Sequence, residues 1–334
     1  MPTRERRVVK RWALSGDPRG LAVAADGTVY VGLAGPQSVI AVDPEAGRIK
    51  HEVVLDSEEI ASTKELVSLR LNPAGDRLIV ANGSDESVTI LALPELKIVR
   101  EIGLEGETVR DALPDPAGRY LYVLGRKIHV FDAEGNRELR TLEKLDPMAI
   151  ATDSQGSLLA VVGAEEFANG RATSVALYET KTFTSSEPEP LQTDRKIEAA
   201  AFADDDKALV ILARDWLAEK TLHARREGTV TAGDGGSMRM RFRFGDLISS
   251  EAICLPDGSG PQIASVGKSS SVLYLAEKRC TAGGAFTASA RKVTTGSLYG
   301  VDAYAIAYHS PSNSIYAIDR AGYLTIYKTP RVGK

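Results

Sequence analysis

Cysteine is nearly absent: Cys254 and Cys280 are the two in 334 residues. They permit at most one internal disulfide, which excludes a disulfide-stapled scaffold and a four-cysteine zinc site. Aromatic residues make up only 6%, so nucleic-acid recognition by base stacking is disfavoured. No run approaches the ~18 apolar residues of a membrane-spanning helix. Neither sign of charge dominates, since 41 Lys+Arg against 45 Asp+Glu leave a net charge of −4. The chain as a whole is therefore not built to coat nucleic acid or an anionic membrane. The four histidines, His51, His129, His223 and His309, show neither H-E-x-x-H nor H-x-x-H spacing, which excludes a helix-borne zinc site. A G-x-S-x-G elbow, a Walker loop and a dinucleotide fingerprint are all missing. The opening MPTRERRVVKRW has a basic flank but no apolar stretch or small-residue cleavage site, so it does not read as a signal peptide, and the compartment stays open.

What the sequence does have is ordinary globular composition, 43% hydrophobic and 26% charged, with ample core material. It also has repeats. Residues 20–53, 67–102 and 109–142 each run through an alternating strand, a Gly-containing corner, a Val/Ile/Tyr-rich strand, a polar loop, a third strand, a second corner and a final strand. Alternation with β-branched enrichment between Gly/Pro/Asp corners is the signature of strands and turns. Weaker copies follow at 148–184 (with a longer central loop), 197–244, 252–293 and 303–328, the last with three strands only. First corners near Gly27, Gly75, Gly118, Gly156, Asp206, Gly258 and Asn313 step by about 48 residues, the spacing of propeller blades.

A three-stranded final copy leaves an unpaired edge, and a lone strand at 6–14 has no meander of its own. Pairing the two closes a ring. The expectation is an all-β, seven-bladed β-propeller of four-stranded antiparallel blades in one domain, 1–334. Its blades lie near 18–55, 66–103, 108–142, 147–185, 196–244, 251–295 and 302–329, and Trp12 packs at the closure.

The patterns YVGLAGPQSVIAVDPEAGRI (30–49) and LIVANGSDESVTILALPELKIV (78–99) resemble the YVTN/NHL-like and lactonase-like seven-bladed propellers. The resemblance spans 18–142 and, more loosely, 147–184 and 302–328. A repeated Gly-His…Trp-Asp signature is missing, so the chain is WD40-like in architecture and not in motif. The resemblance implies a central funnel where ligands sit, rimmed by the inter-blade loops and the loops between second and third strands. It implies no catalytic residue, and propellers host many unrelated activities.

That mapping puts segments 15–20, 56–65, 105–111, 143–148, 192–198, 245–251 and 298–304 on the rim, with Asn82, Glu165, Glu166, Arg214, Lys268 and Arg320 on shorter loops. Arg19, Arg110 and Arg195 can bind carboxylate or phosphate through forked hydrogen bonds. Glu65, Glu198, Glu251 and Asp302 can hold a hard cation such as calcium if they converge. The plainer reading is a ring of charges that solvates loop ends. His129 is expected to face outward from a third strand, and each histidine alone is read as structural.

Residues 207–243 hold eight Lys/Arg against four Asp/Glu, and Arg239, Arg241 and Arg243 alternate on one side of an expected strand. This strip can attract an acidic partner, or it can simply protect a blade edge. GDGG at 233–236 reads as a hairpin turn. Trp216 is placed in a divergent loop, where exposure would mark a contact site. Cys254 and Cys280 are separated by an expected strand, roughly 9–10 Å apart at ~4.8 Å per strand and too far for a disulfide. The functional expectation is a non-enzymatic, monomeric binding propeller for a protein or small-molecule ligand, without a cofactor. The alternative is a metal-dependent lactonase- or lyase-like hydrolase with calcium at the funnel.

Overall fold

A computed structural model describes residues 8–34, 37–55, 66–83, 86–167, 170–190, 197–203, 208–213, 216–221, 242–243, 247–253, 262–267, 273–277, 289–291, 303–309, 311–312, 314–319 and 321–328. Among the described residues the regular elements are all strands, and they form seven antiparallel sheets. Six are meanders in chain order, and the one that starts at Asp146–Thr152 departs from four strands by pairing Glu189–Pro190 as a fifth with Gly170–Glu179. The seventh joins Val8–Ala13 to Tyr323–Lys328, Ser314–Asp319 and Ala303–His309. The first strands of successive sheets touch one another in turn, and Ala303–His309 returns to Asp17–Val23. The sheets are therefore the blades of a closed seven-bladed propeller.

Closure follows the sequence argument. Val8 pairs with Tyr327 and Ala13 with Tyr323, antiparallel, which supplies the outer strand that the last sheet lacks. Lys10 Nζ donates to the carbonyls of Pro44 (3.3 Å) and Glu45 (2.7 Å) in blade one. Trp12 packs so close to Gly47 that a Cβ there would stand 2.6 Å from the indole Nε1.

Among the described residues the apolar core falls into five clusters, each between two adjacent blades. Blade three shows why. Leu121, Val123 and Phe131 face blade two, whereas Tyr122, Leu124, Ile128 and Val130 face blade four. Strand residues alternate between faces, and in a propeller both faces of a blade are covered. The corners after first strands use Gly27, Gly75, Gly118 and Gly156 in the left-handed region, as expected of turn glycines.

Three local expectations change. The central loop expected within 148–184, with Glu165 and Glu166 on it, is mostly strand. Leu158–Phe167 and Gly170–Glu179 pair without a register break from Leu158↔Glu179 to Phe167↔Gly170. The backbone ladder therefore carries the two strands well past the length of their neighbours. Trp216 begins the strand Trp216–Thr221 and pairs with Ala213 and Arg243, so it is not in a loop. His129 is buried rather than outward-facing, at 5% exposure, because the outer side of its strand is covered by Glu138 of the fourth strand and Glu107 of the preceding linker.

Candidate functional site

The expected rim residues scatter. Glu65, Arg195, Asp302, Arg239 and Arg241 lie outside the described residues, as do segment 56–65, GDGG, Cys254 and Cys280. Glu198 stands in the first strand Ile197–Ala203 and Glu251 in Leu247–Ile253, where a loop had been expected through residue 251. Arg243 is in the two-residue strand Phe242–Arg243.

Arg19 and Arg110 are described with their side chains, and both are held internally. Arg19 donates from Nε (3.0 Å) and Nη2 (2.7 Å) to Asp17. Arg110 donates to the Gly125 carbonyl. Burial lowers the Arg110 guanidinium from its ordinary value, and the Asp146 carboxylate acts in the opposite sense. Arg110 thus fastens the linker before blade three to that blade's second turn.

That turn borders the site. A cleft of about 730 Å3 opens between blades three and four, lined by Arg126, Lys127, Glu143, Lys144, Leu145, Asp146, Ala164 and Glu165. One wall is the short turn at 125–127, between Tyr120–Leu124 and Ile128–Asp132. The floor is the linker 143–145 and the start of Asp146–Thr152. The opposite wall is the strand Leu158–Phe167, carrying Ala164 and Glu165.

Each side of the cleft is fixed from behind. The Glu107 carboxylate accepts from the Arg126 backbone N–H (3.0 Å). Glycine at 125 permits this, since a Cβ there would sit 2.5 Å from Glu107 Oε2. His129 lies between two carboxylates, with Nε2 at 3.1 Å from Glu107 and Nδ1 at 2.8 Å from Glu138. Burial pushes the Glu107 carboxyl upward, but His129, the Arg126 amide and Lys127 outweigh it and hold the group below its ordinary value.

On the floor, Leu145 is buried in the core between blades three and four, and Lys144 reaches away from the cleft to the Ser186 carbonyl (2.9 Å), Ser185 (3.3 Å) and Glu187 (3.3 Å). Lys127 donates to Glu143 at 3.3 Å. At the foot of the far wall a Cβ on Gly163 would meet the Asp146 carbonyl oxygen at 2.4 Å.

Two lining charges lack an internal partner. Arg126 makes its hydrogen bond through the backbone, and its guanidinium has no partner among the described residues. Glu165 has one carboxylate oxygen, Oε2, closed off from solvent with no hydrogen bond. Among the described residues, no group of three or more His, Cys, Asp or Glu side chains is placed to hold a metal ion, and no helix is long and apolar enough to cross a membrane. Sequence reasoning placed Glu165 on the rim but missed Arg126 and Lys127. The signal was present as the run GRK at 125–127 at the second turn of a blade.

No family model and no curated protein matches the chain. It is similar in fold to the solved β-propeller domain of Cps50 (Swd1) from Myceliophteria thermophila. The TM-score is 0.73 at 14% identity, covering 97% of this chain and 100% of that one. The likeness concerns the fold.

Proposed function

We propose that the protein is a non-enzymatic binding propeller that takes up a segment of a partner protein in the cleft between blades three and four. The observation that carries this reading is the cleft itself, about 730 Å3, open, charged in both signs and backed by buried contacts. That volume is within the usual range of ligand sites, and walls that do not reorganise spare the ordering cost of binding. The repeat patterns at 30–49 and 78–99 support placing the chain beside the YVTN/NHL-like propellers. The basic strip of Arg239, Arg241 and Arg243 is a second contact zone for an acidic partner; Arg→Glu changes there should abolish retention on heparin, and unchanged retention removes the strip from the proposal.

The cleft is tested by lowering its tall wall. Residues 165–172 are replaced by Asn-Gly, which joins the paired residues Ala164 and Thr173 through a turn suited to a two-residue hairpin. A hexapeptide library of all charge classes is screened against both proteins. Wild type should bind a subset saturably, and the shortened variant should bind that subset at least tenfold more weakly with its melting temperature unchanged. Equal binding by both proteins, or no binding by wild type, overturns the proposal.

A further inference from the structure

The internal pairing of the cleft limits the chemistry of what it binds. Lys127 is paired with Glu143, Lys144 is drawn away to Ser185, Ser186 and Glu187, and Asp146 faces Arg110. What remains is one cation on the short wall, Arg126, and one anion on the tall wall, Glu165. The inner Glu165 oxygen meets no donor and keeps its desolvation penalty, so a ligand cation on the cleft side is the countercharge open to this carboxylate.

We infer that the ligand is a peptide segment carrying charges of both signs, a lysine or arginine seated on Glu165 and an aspartate or glutamate paired with Arg126. This inference rests on the binding reading above. An acidic ligand satisfies Arg126, preferably by a forked contact, but brings like charge against Glu165. A basic ligand does the reverse. A segment bearing both charges satisfies both walls at once and is discriminated from either single-sign ligand by the repulsion those meet.

Four fluorescent hexapeptides test this by anisotropy: one with a Lys and an Asp, one with two Lys, one with two Asp and one neutral. Wild type should bind the Lys/Asp peptide at least tenfold more tightly than the others, with affinity falling as salt rises. Glu165→Gln should erase its advantage over the two-Asp peptide, and Arg126→Gln its advantage over the two-Lys peptide. The double swap Arg126→Glu with Glu165→Lys keeps both charges, so it should restore tight binding for the peptide of reversed sequence. Preference for a single-sign or neutral peptide, unaltered by Glu165→Gln, overturns the inference and leaves the binding reading standing. Failure of every charge class in this set and in the wider library overturns both.

Discussion

Blades three and four share one four-strand plan, yet their second and third strands are five residues long in one and ten in the other. The cleft is the step between them. The two walls are also held by different physics. The low wall depends on charge, with Glu107 under the turn, His129 under Glu107, and Lys127 on Glu143. The tall wall depends on an unbroken backbone ladder from Leu158 to Phe167. Protons should therefore act on one wall and steric changes at the ladder's foot on the other.

The largest effect is expected at that foot. Gly163→Ala puts a Cβ against backbone of the neighbouring strand, where flexible side-chain adjustment offers no relief. Urea unfolding should show a loss of about 3 kcal/mol, the scale of overpacking in a closed interior. A loss under 1 kcal/mol would mean that the ladder does not fix this wall.

On the other wall, His129→Ala removes the ring that bridges Glu107 and Glu138 and should lower stability by about 2 kcal/mol, the scale of hydrogen bonds to charged groups. It should also loosen the 125–127 turn, read as faster exchange of the Arg126 amide, with exchange along the ladder 158–164 unchanged. Equal acceleration in both places would erase the distinction between the walls.

Acid sharpens the same contrast. Because the Glu107 carboxyl sits below its ordinary value in the folded protein, its stabilising contribution is complete above that value. It disappears as pH falls through the lower folded value. The protection factor of the Arg126 amide should thus fall below about pH 4, while the Val161 and Val162 amides keep theirs. A turn as well protected at pH 3 as at pH 7 would refute the role given to Glu107.

The smallest effect has the opposite sign. Tyr122 is fully buried between the two blades, and its hydroxyl has no hydrogen-bond partner. Burial, with Asp115 nearby, pushes its ionisation upward. Tyr122→Phe removes an unsatisfied group and should raise stability by up to about 1 kcal/mol. A decrease on thermal unfolding would show that the hydroxyl is satisfied in solution.

The frame of this molecule was readable in advance, because four-strand repeats, corner glycines and a spare strand are local patterns. Alternation served well for the strands and failed for His129. In a half-solvated sheet the polar member of an alternating pair faces water. In blade three, however, both members face neighbours, so Ile128 and His129 are both buried. The partners Glu107 and Glu138 come from a preceding linker and the next strand, contacts that no periodicity encodes. The long hairpin was misread because Gly163 and the pair Glu165–Glu166 look like loop composition. The glycine is there for close approach to Asp146, and the charges sit on a strand that rises past its neighbours. The cleft is a difference of height between adjacent repeats, and a height difference becomes visible only when the repeats stand side by side.

The pairing of Val8–Ala13 with Tyr323–Lys328 sets a schedule for biogenesis. Its two halves are more than three hundred residues apart, and chains emerge from the ribosome at roughly 5–20 residues per second. The opening strand, with the indole of Trp12, must therefore wait on the order of tens of seconds for its mate. During that interval blade one already exists while its neighbour on the closing side does not, so Leu21, Val31 and Ile40, which finally pack against Ile318 and Leu324, are left facing water. The nascent protein therefore carries bare apolar surface at the very seam that later makes the circle continuous.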